Sequence, residues 1–266
     1  MIYKSFAQGA GAAQAYSQNT VGYTKITIKP GNNLISAQFV PVSKNSIDDL
    51  TAVLDATNLP GANPDTGVGV ARLQKWTGLG YTTYEWAGDI LADEWEWPET
   101  ENQWMTVLSA DIASVKLEKT DGVWLNLANS QEDPITIISY GEVFKDPVSK
   151  ELRVGNNLLS NPYPVKINLQ DLAVLSGVPG ANPDNGIGMV RLQLWTGLGY
   201  STFEWAGDTL ADEWEWPETE NKWMTVLSAD IATGVIIKEN QGFWVSLNAL
   251  GEYDNPTISF NPPSGL

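Results

Sequence analysis

The sequence predicts an all-β protein with two tandem homologous domains, each an antiparallel β-sandwich or small barrel, preceded by an N-terminal arm. Three observations predict this fold. Short β-branched or alternating segments recur along the chain, and clusters of Gly, Asn, Pro and Asp separate them. A long block of the sequence also occurs twice along the chain. We place the arm at residues 1–20, the first β-domain at 21–142 and the second at 143–266.

The segments of the first domain that are typical of strands follow one another at short spacing. Only 46–54 and its counterpart 169–175 are predicted to form short helical turns, and SIDD at 46–49 is a suitable N-cap sequence. Six or seven short strands in each unit favour a sandwich or a small barrel. The predicted strands of the first domain are 23–29, 34–40, 70–76, 81–86, 115–119, 123–127 and 135–140.

The internal repeat is the dominant feature of the chain. Residues 60–113 align with 179–232 without a gap, and 45 of the 54 positions are identical. The flanks are looser: GNNLIS at 31–36 matches GNNLLS at 155–160, and GVWL at 122–125 matches GFWV at 242–245. Each copy spans about 120 residues, which is the size of a domain and not of a short solenoid repeat.

These motifs carry a resemblance to a known kind of domain. The order GNNLLS, then LWTGLGYSTFEW, then GFWV resembles a repeat domain of secreted bacterial proteins, whose units open on a Gly-x-Asn-Leu strand and close on Gly-Phe/Tyr-Trp-Val. The resemblance implies an all-β fold and secretion, and it implies no enzymatic activity. We therefore expect an extracellular or cell-surface location.

The composition excludes several kinds of chemistry. The chain contains neither cysteine nor histidine. Disulfides, thiolate metal sites and cysteine nucleophiles are therefore impossible, and the usual general base near neutral pH is missing. Acidic pairs could still serve a glycosidase, but any acidic surface yields such pairs by chance. We interpret the protein as non-enzymatic and expect no cofactor.

The charge of the chain argues against nucleic acid as a partner. The formal net charge is −17, whereas phosphate binding depends on clustered Lys and Arg. No apolar run approaches the roughly 18–20 residues that a membrane-spanning helix needs. Residues 1–47 contain no acid, so a basic N-terminal part precedes a strongly acidic remainder. This asymmetry is typical of an interaction segment, although a short polar arm could also lack acids by chance.

One acidic and aromatic segment, LADEWEWPETEN, occurs at 91–102 and again at 210–221. In a strand, Trp95 and Trp97 would project from one face about 7 Å apart, with Glu94 and Glu96 on the other face. That geometry suits core packing, a protein contact or stacking on a sugar ring. The candidate binding residues are Trp95, Trp97, Glu94, Glu96, Trp214, Trp216, Glu213 and Glu215.

The other eight tryptophans are assigned to the domain cores, because a small sandwich needs large side chains to fill it. They are Trp76, Trp86, Trp104, Trp124, Trp195, Trp205, Trp223 and Trp244.

A calcium site is a weaker candidate at the two Asn-Pro-Asp turns. Asn63, Asp65, Asn182 and Asp184 offer oxygen ligands, but the spacing differs from that of an EF-hand loop. Asn-Pro-Asp-x-Gly is also common turn chemistry, since Asn and Asp cap their own backbone and Gly supplies a positive φ. We therefore predict no metal site and keep these residues only as candidates.

These observations favour a structural protein that associates with itself. Ile2, Tyr3, Lys4 and Phe6 are the larger side chains of the arm and are candidate assembly residues. An arm with few large side chains could add as a strand to a sheet edge, within its own chain or on a neighbouring molecule. The hypothesis from the sequence is that copies of the protein assemble into an extracellular filament, array or surface layer. The alternative is a carbohydrate-binding or adhesion protein that uses the two Trp-Glu-Trp segments.

Overall fold

Within the described residues, the named elements are strands and two short 3-10 helices. The computed structural model describes residues 21–42, 44, 46–61, 71–88, 102–107, 111–128, 133–175, 190–207, 221–226, 230–248 and 255–263. All strand pairs within these residues are antiparallel, which confirms the all-β prediction. We call residues 21–142 the first repeat and residues 143–266 the second repeat.

Nineteen strands lie within the described residues. In chain order they are β1 (Val21–Ile28), β2 (Gly31–Ser36), β3 (Phe39–Val40), β4 (Leu54–Asp55), β5 (Ala71–Trp76), β6 (Tyr81–Trp86), β7 (Trp104–Thr106), β8 (Gly122–Leu127), β9 (Ile135–Val143), β10 (Val148–Glu151), β11 (Gly155–Ser160), β12 (Ile167–Asn168), β13 (Leu172–Leu175), β14 (Val190–Trp195), β15 (Tyr200–Trp205), β16 (Trp223–Thr225), β17 (Ile236–Ile237), β18 (Gly242–Leu247) and β19 (Thr257–Phe260).

Each repeat contributes one five-stranded sheet. The order is β2-β8-β5-β6-β7 in the first repeat and β11-β18-β14-β15-β16 in the second, so equivalent stretches occupy equivalent places. The side chains alternate along these strands: Val123, Leu125 and Leu127 of β8 are buried, whereas Trp124 and Asn126 are half buried on the opposite face. One face of each sheet therefore supplies the hydrophobic core.

Smaller sheets complete the structure. In the first repeat β9 lies between β1 and β3 and also pairs with β4, and in the second repeat β19 lies between β10 and β13. The strands β12 and β17 form a separate two-stranded sheet. Buried residues of both repeats form one hydrophobic cluster, which includes the fully buried Trp104 and Trp223.

The predicted strand at 34–40 is interrupted by a buried glutamine. The strand β2 ends at Ser36, and β3 begins at Phe39 in another sheet. Gln38 lies between them, fully buried, and its Nε2 donates a 2.6 Å hydrogen bond to the carbonyl of Tyr163. The polar side chain thus ties the point where the chain changes sheet to the second repeat.

The prediction of a strand at 115–119 is wrong for the first repeat. Only an isolated bridge joins Leu117 to Ile47 there, whereas the equivalent Ile236–Ile237 pairs with β12 in the second repeat. In the second repeat two consecutive residues of each strand pair, whereas in the first repeat only one residue pair meets, which is too short for a strand.

The predicted helical turns are present as 3-10 helices, which span Leu50–Ala52 and Leu169–Asp171. Asp49 caps the first of them, because its Oδ1 accepts a 3.1 Å hydrogen bond from the Thr51 amide. The N-cap expected from SIDD is therefore confirmed.

Tyr163 anchors the start of the second repeat. The side chain is fully buried, and its hydroxyl shares its proton between the carbonyls of Asp146 at 3.0 Å and Phe260 at 2.8 Å. Burial raises the pKa of Tyr163 to about 12, because the phenolate would lose its hydration.

This tyrosine makes the stability of the protein depend on pH in the alkaline range. The folded-state pKa lies above the ordinary value of 10.0, so the contribution of the neutral phenol is complete below about pH 10. It is lost as the pH rises from 10 towards 12. The free energy of unfolding in urea, measured at about pH 9 and about pH 11.5, should fall more for the wild type than for Tyr163→Phe. Tyr140→Phe, at an exposed position, should retain the full fall; equal slopes for all three proteins would contradict the assignment.

Candidate functional site: paired grooves and hairpin tips

Four tryptophans form a contact between the two repeats. Trp76 at the end of β5 contacts Trp244 of β18, with ring centroids 5.4 Å apart and planes at 84°. Trp195 at the end of β14 contacts Trp124 of β8, at 6.3 Å and 78°. Both pairs have the edge-to-face geometry that aromatic rings prefer. We call these four residues the tryptophan quartet.

The quartet corrects part of the sequence prediction. Trp86, Trp104, Trp205 and Trp223 are buried in the core as expected. The four members of the quartet are instead half buried, at the contact between the repeats. Each of the four lies on the face of its strand opposite the buried core residues, so the alternation does separate it from the core and leaves open only what that face meets.

The contact between the two repeats has an approximate twofold symmetry. Trp76 and Trp195 are equivalent positions, as are Trp124 and Trp244, and each member of one pair contacts a member of the other. Two glycines show the same relation: a Cβ at Gly122 would lie 2.6 Å from the carbonyl oxygen of Leu159, and one at Gly242 would lie 2.5 Å from Cγ of Leu34. Close approach of the sheets thus requires glycine at both equivalent positions.

The strands that carry the quartet are neighbours within their sheets. Trp124, which contacts Trp195, is paired with Gln74 of β5. Trp244, which contacts Trp76, is paired with Gln193 of β14. The hairpins that follow β5 and β14 are therefore equivalent loops beside the contact between the repeats.

Each of these hairpins ends in an exposed leucine. The loops Thr77-Gly78-Leu79-Gly80 and Thr196-Gly197-Leu198-Gly199 are closed by hydrogen bonds from the Thr amide to the last Gly carbonyl, at 2.9 and 2.8 Å. Leu79 is 100% exposed and Leu198 is 99% exposed. We call the loops the first tip and the second tip. A Trp–Tyr ring pair with a 5.0 Å centroid distance lies at the base of each tip.

Two grooves flank the quartet at equivalent places. Groove A, with a volume of about 610 Å³, runs beside the first tip between Trp76 and the strands β10 and β11. Groove B, of about 500 Å³, runs beside the second tip between Trp195 and the strands β1 and β2. Both grooves combine a half-buried tryptophan with two asparagines, Asn156 and Asn157 in groove A and Asn32 and Asn33 in groove B.

The electrostatics of the two grooves differ. In groove A, Lys150 of the second repeat forms ion pairs with Glu118 and, at 3.6 Å, with Asp121 of the first repeat. Lys75 joins Asp121 at 3.4 Å. The hydrogen bond from Lys150 lowers the pKa of the Glu118 carboxyl below its usual range. The equivalent positions around groove B hold Ile26, Leu194, Lys238 and Gln241, which cannot form this network.

Further charged groups line both grooves, among them the acids Glu151 in groove A and Glu239 in groove B. Arg153 lies beside the first tip, with Nη1 3.7 Å from the position of a Cβ at Gly78. Lys29 lines groove B together with Gly197 of the second tip, and Lys25 lies nearby on β1. Within the described part of the chain, none of these three side chains forms an ion pair.

The residues that the sequence singled out lie outside the described residues. This holds for Trp95, Trp97, Glu94 and Glu96 with their counterparts in the second repeat, for Ile2, Tyr3, Lys4 and Phe6 of the arm, and for Asn63, Asp65, Asn182 and Asp184 of the calcium candidates. Among the residues that are described, no three acidic side chains are grouped closely enough to hold a metal ion. No helix in that part of the chain is long and apolar enough to cross a membrane.

Sequence reasoning missed the tips. The Gly-rich segment TGLG predicts a turn between strands and no exposed site, although a leucine between two glycines in both copies is a visible signal. An apolar residue in a turn has no core to enter, so its duplication could have drawn attention to the exposed position.

Comparison of the chain with protein-family profiles, with curated proteins and with solved structures found no significant match.

The glycine contact predicts a specific stability difference. Gly122→Ala should lower the free energy of unfolding by about 1–3 kcal/mol, because the new methyl group would collide with backbone of the second repeat. Gly80→Ala is the matched control, since no atom lies within 4 Å of a Cβ at that position. Urea unfolding followed by tryptophan fluorescence measures both variants. Equal stability of the two would show that the repeats do not approach each other as described.

Proposed function

We propose that this protein is a secreted, non-enzymatic structural protein that assembles with copies of itself into an extracellular filament, array or surface layer. Its N-terminal arm would supply one contact, by adding as a strand to a neighbouring copy. One observation carries the proposal. The strand β1, which follows the arm directly, has an unpaired edge in the described part of the chain.

The direction of the backbone groups defines this edge. Tyr140 of β9 donates its amide to the carbonyl of Val53 at 2.8 Å, on the side of β9 that is remote from β1. Tyr23 lies opposite Tyr140 in the antiparallel register, so its N–H and C=O point away from β9. By alternation the same holds for Lys25 and Thr27. These residues present the row of unpaired donors and acceptors that an added strand needs.

The surroundings of the edge leave room for such a strand. Lys25 and Thr27 line groove B, which lies along β1 and contains Trp195. Just after the C-terminal end of β1 the edge is already closed. The Asn33 side chain accepts a hydrogen bond from the Lys29 amide at 2.9 Å and donates one to the Lys29 carbonyl at 2.7 Å. An added strand would therefore pair with residues 21–27 and end at Lys29. Lysine on an edge strand commonly discourages non-specific pairing with other chains. Lys25 therefore favours pairing of β1 with one defined segment, the arm, over random aggregation.

Two variants test the proposal. Deletion of residues 1–18 should leave the protein folded but monomeric in light scattering and without polymers in electron microscopy. Lys25→Pro should have the same effect, because it removes an outward N–H without removing a bond to β9. Lys25→Ala, which keeps that N–H, is the matched control and should assemble like the wild type. A wild type that stays monomeric at high concentration, or assembly that persists without the arm, would contradict the proposal.

A carbohydrate-binding function is the second candidate, because each groove holds a half-buried tryptophan and an exposed asparagine, Asn156 in groove A and Asn32 in groove B. Sugar rings stack on such aromatic faces while amides bond to their hydroxyls. The duplicated Trp-Glu-Trp segments would add a second pair of sites, and two linked sites strengthen each other.

A glycan array separates this candidate from the first. Loss of a glycan signal in Trp95→Ala/Trp97→Ala together with Trp214→Ala/Trp216→Ala would support it. An array on which the wild type binds nothing would exclude it.

A further inference from the structure

Groove B differs from groove A in how its tryptophan is held. In groove A the Nε1 of Trp76 donates a 2.7 Å hydrogen bond to the carbonyl of Asn156, which fixes the indole against the edge of β11. Trp195 holds the equivalent position in groove B, and its Nε1 has no hydrogen-bond partner in the part of the chain that the structure describes. This nitrogen is not buried, so it can donate to a ligand in the groove.

The carbonyl equivalent to that of Asn156 also lies at groove B. Asn32 is opposite Asn126 in the pairing of β2 with β8, as Asn156 is opposite Ser246 in the pairing of β11 with β18. The Asn32 carbonyl therefore points away from its sheet, as the Asn156 carbonyl does. The Asn32 side chain accepts a 2.7 Å hydrogen bond from Asn126 through Oδ1, and its Nδ2 has no partner among the described residues. Groove B thus offers, beside one indole ring, a donor and an acceptor that are bonded to each other in groove A.

The charged groups of groove B have both signs. Lys25 and Lys29 are positive and Glu239 is negative, and none of them forms an ion pair with another described residue. In groove A, by contrast, Lys75 and Lys150 are both paired with acids. An acidic ligand in groove B would meet Glu239 and a chain whose formal net charge is −17, and a basic ligand would meet the two lysines. These charges favour a neutral ligand whose groups can both donate and accept hydrogen bonds.

Neutral saccharides have this chemistry. Each hydroxyl of a sugar both donates and accepts a hydrogen bond, and the apolar face of the sugar ring stacks on an indole. Groove B has a volume of about 500 Å³, which is within the usual range of about 300–1,000 Å³ for small-ligand sites. The groove is also held together across the two repeats, because Nδ2 of Asn240 donates a 3.3 Å hydrogen bond to Oγ1 of Thr24. A preformed groove of this kind loses little conformational entropy when a ligand binds.

We propose that groove B is a binding site for a neutral saccharide, which stacks on Trp195 and accepts hydrogen bonds from the Trp195 Nε1, the Asn32 amide and the Lys29 ammonium group. The inference rests on the carbohydrate-binding candidate and places the site in one groove. Groove A does not bind the same ligand, because the N–H of its tryptophan is bonded to β11 and two of its lysines are paired with acids.

The test is calorimetric titration of the full-length protein with neutral hexasaccharides of glucose, mannose, galactose and xylose. Trp195→Phe keeps an aromatic ring and removes the N–H, so it should weaken binding of the recognised saccharide about 3–10-fold. Asn32→Ala, at an exposed position, should weaken it by a similar factor. The equivalent variants of groove A, Trp76→Phe and Asn156→Ala, are the matched controls and should bind like the wild type. Near-ultraviolet circular dichroism of the tryptophans verifies that each variant is folded.

A second measurement tests the neutral character of the ligand. Affinity for the neutral hexasaccharide should be the same at low and high salt, because no charge on the ligand is screened. Hexagalacturonate is the acidic comparison and should bind more weakly, and Glu239→Gln should reduce this difference. Tighter binding of hexagalacturonate than of every neutral hexasaccharide would overturn the inference.

The outcomes separate this inference from the proposals above. If saccharide binding is lost in the variants of the Trp-Glu-Trp segments and kept in Trp195→Phe and Asn32→Ala, the carbohydrate-binding candidate stands and groove B is not its site. Equal losses in the variants of both grooves would contradict the assignment to one groove. If the wild type binds none of the neutral hexasaccharides, the inference is wrong. Self-assembly, which light scattering measures separately, stands under all of these outcomes.

Discussion

The contact between the two five-stranded sheets is the constraint on which the rest of the structure depends. The tryptophan quartet can interlock only if the backbones approach closely, and Gly122 and Gly242 permit that approach. A side chain at either position would push the sheets apart and leave the rings without partners. Main-chain pairing adds to the contact, because the Ser160 amide donates to the Thr120 carbonyl at 2.8 Å.

The packing of the repeats decides which groups meet at the surface between them. An edge strand of one repeat lies beside the tryptophan of the other. Groove A and groove B arise in this way, each bounded by residues of both repeats. The two grooves are therefore consequences of one packing arrangement.

The two grooves have diverged although the block that contains the tips is almost unchanged between the copies. Two of the differences lie in the looser flanks, where Glu118 and Asp121 of the first repeat are replaced by Lys238 and Gln241, and one lies inside the block, where Lys75 is replaced by Leu194. Lys150 bridges the repeats only in groove A. Ion pairs of this partly exposed kind contribute little stability, about 0–1 kcal/mol each, so their main effect is on the charge that a partner meets. Equivalent geometry with unequal charge gives the molecule two grooves that are similar in lining and different in electrostatics.

The sequence by itself determined the all-β class, most strand positions, the short 3-10 turns and the burial of Trp86 and Trp104, because local alternation and turn residues encode them. It also determined the missing chemistry, since a chain without cysteine or histidine cannot form their sites. Only the tertiary structure decided that Trp76 lies between the repeats, that the strand at 34–40 breaks at Gln38, and that Leu79 is exposed at a hairpin tip. The physical reason is that a period of two residues states which side chains share a face. It does not state whether that face meets the core, the other repeat or solvent.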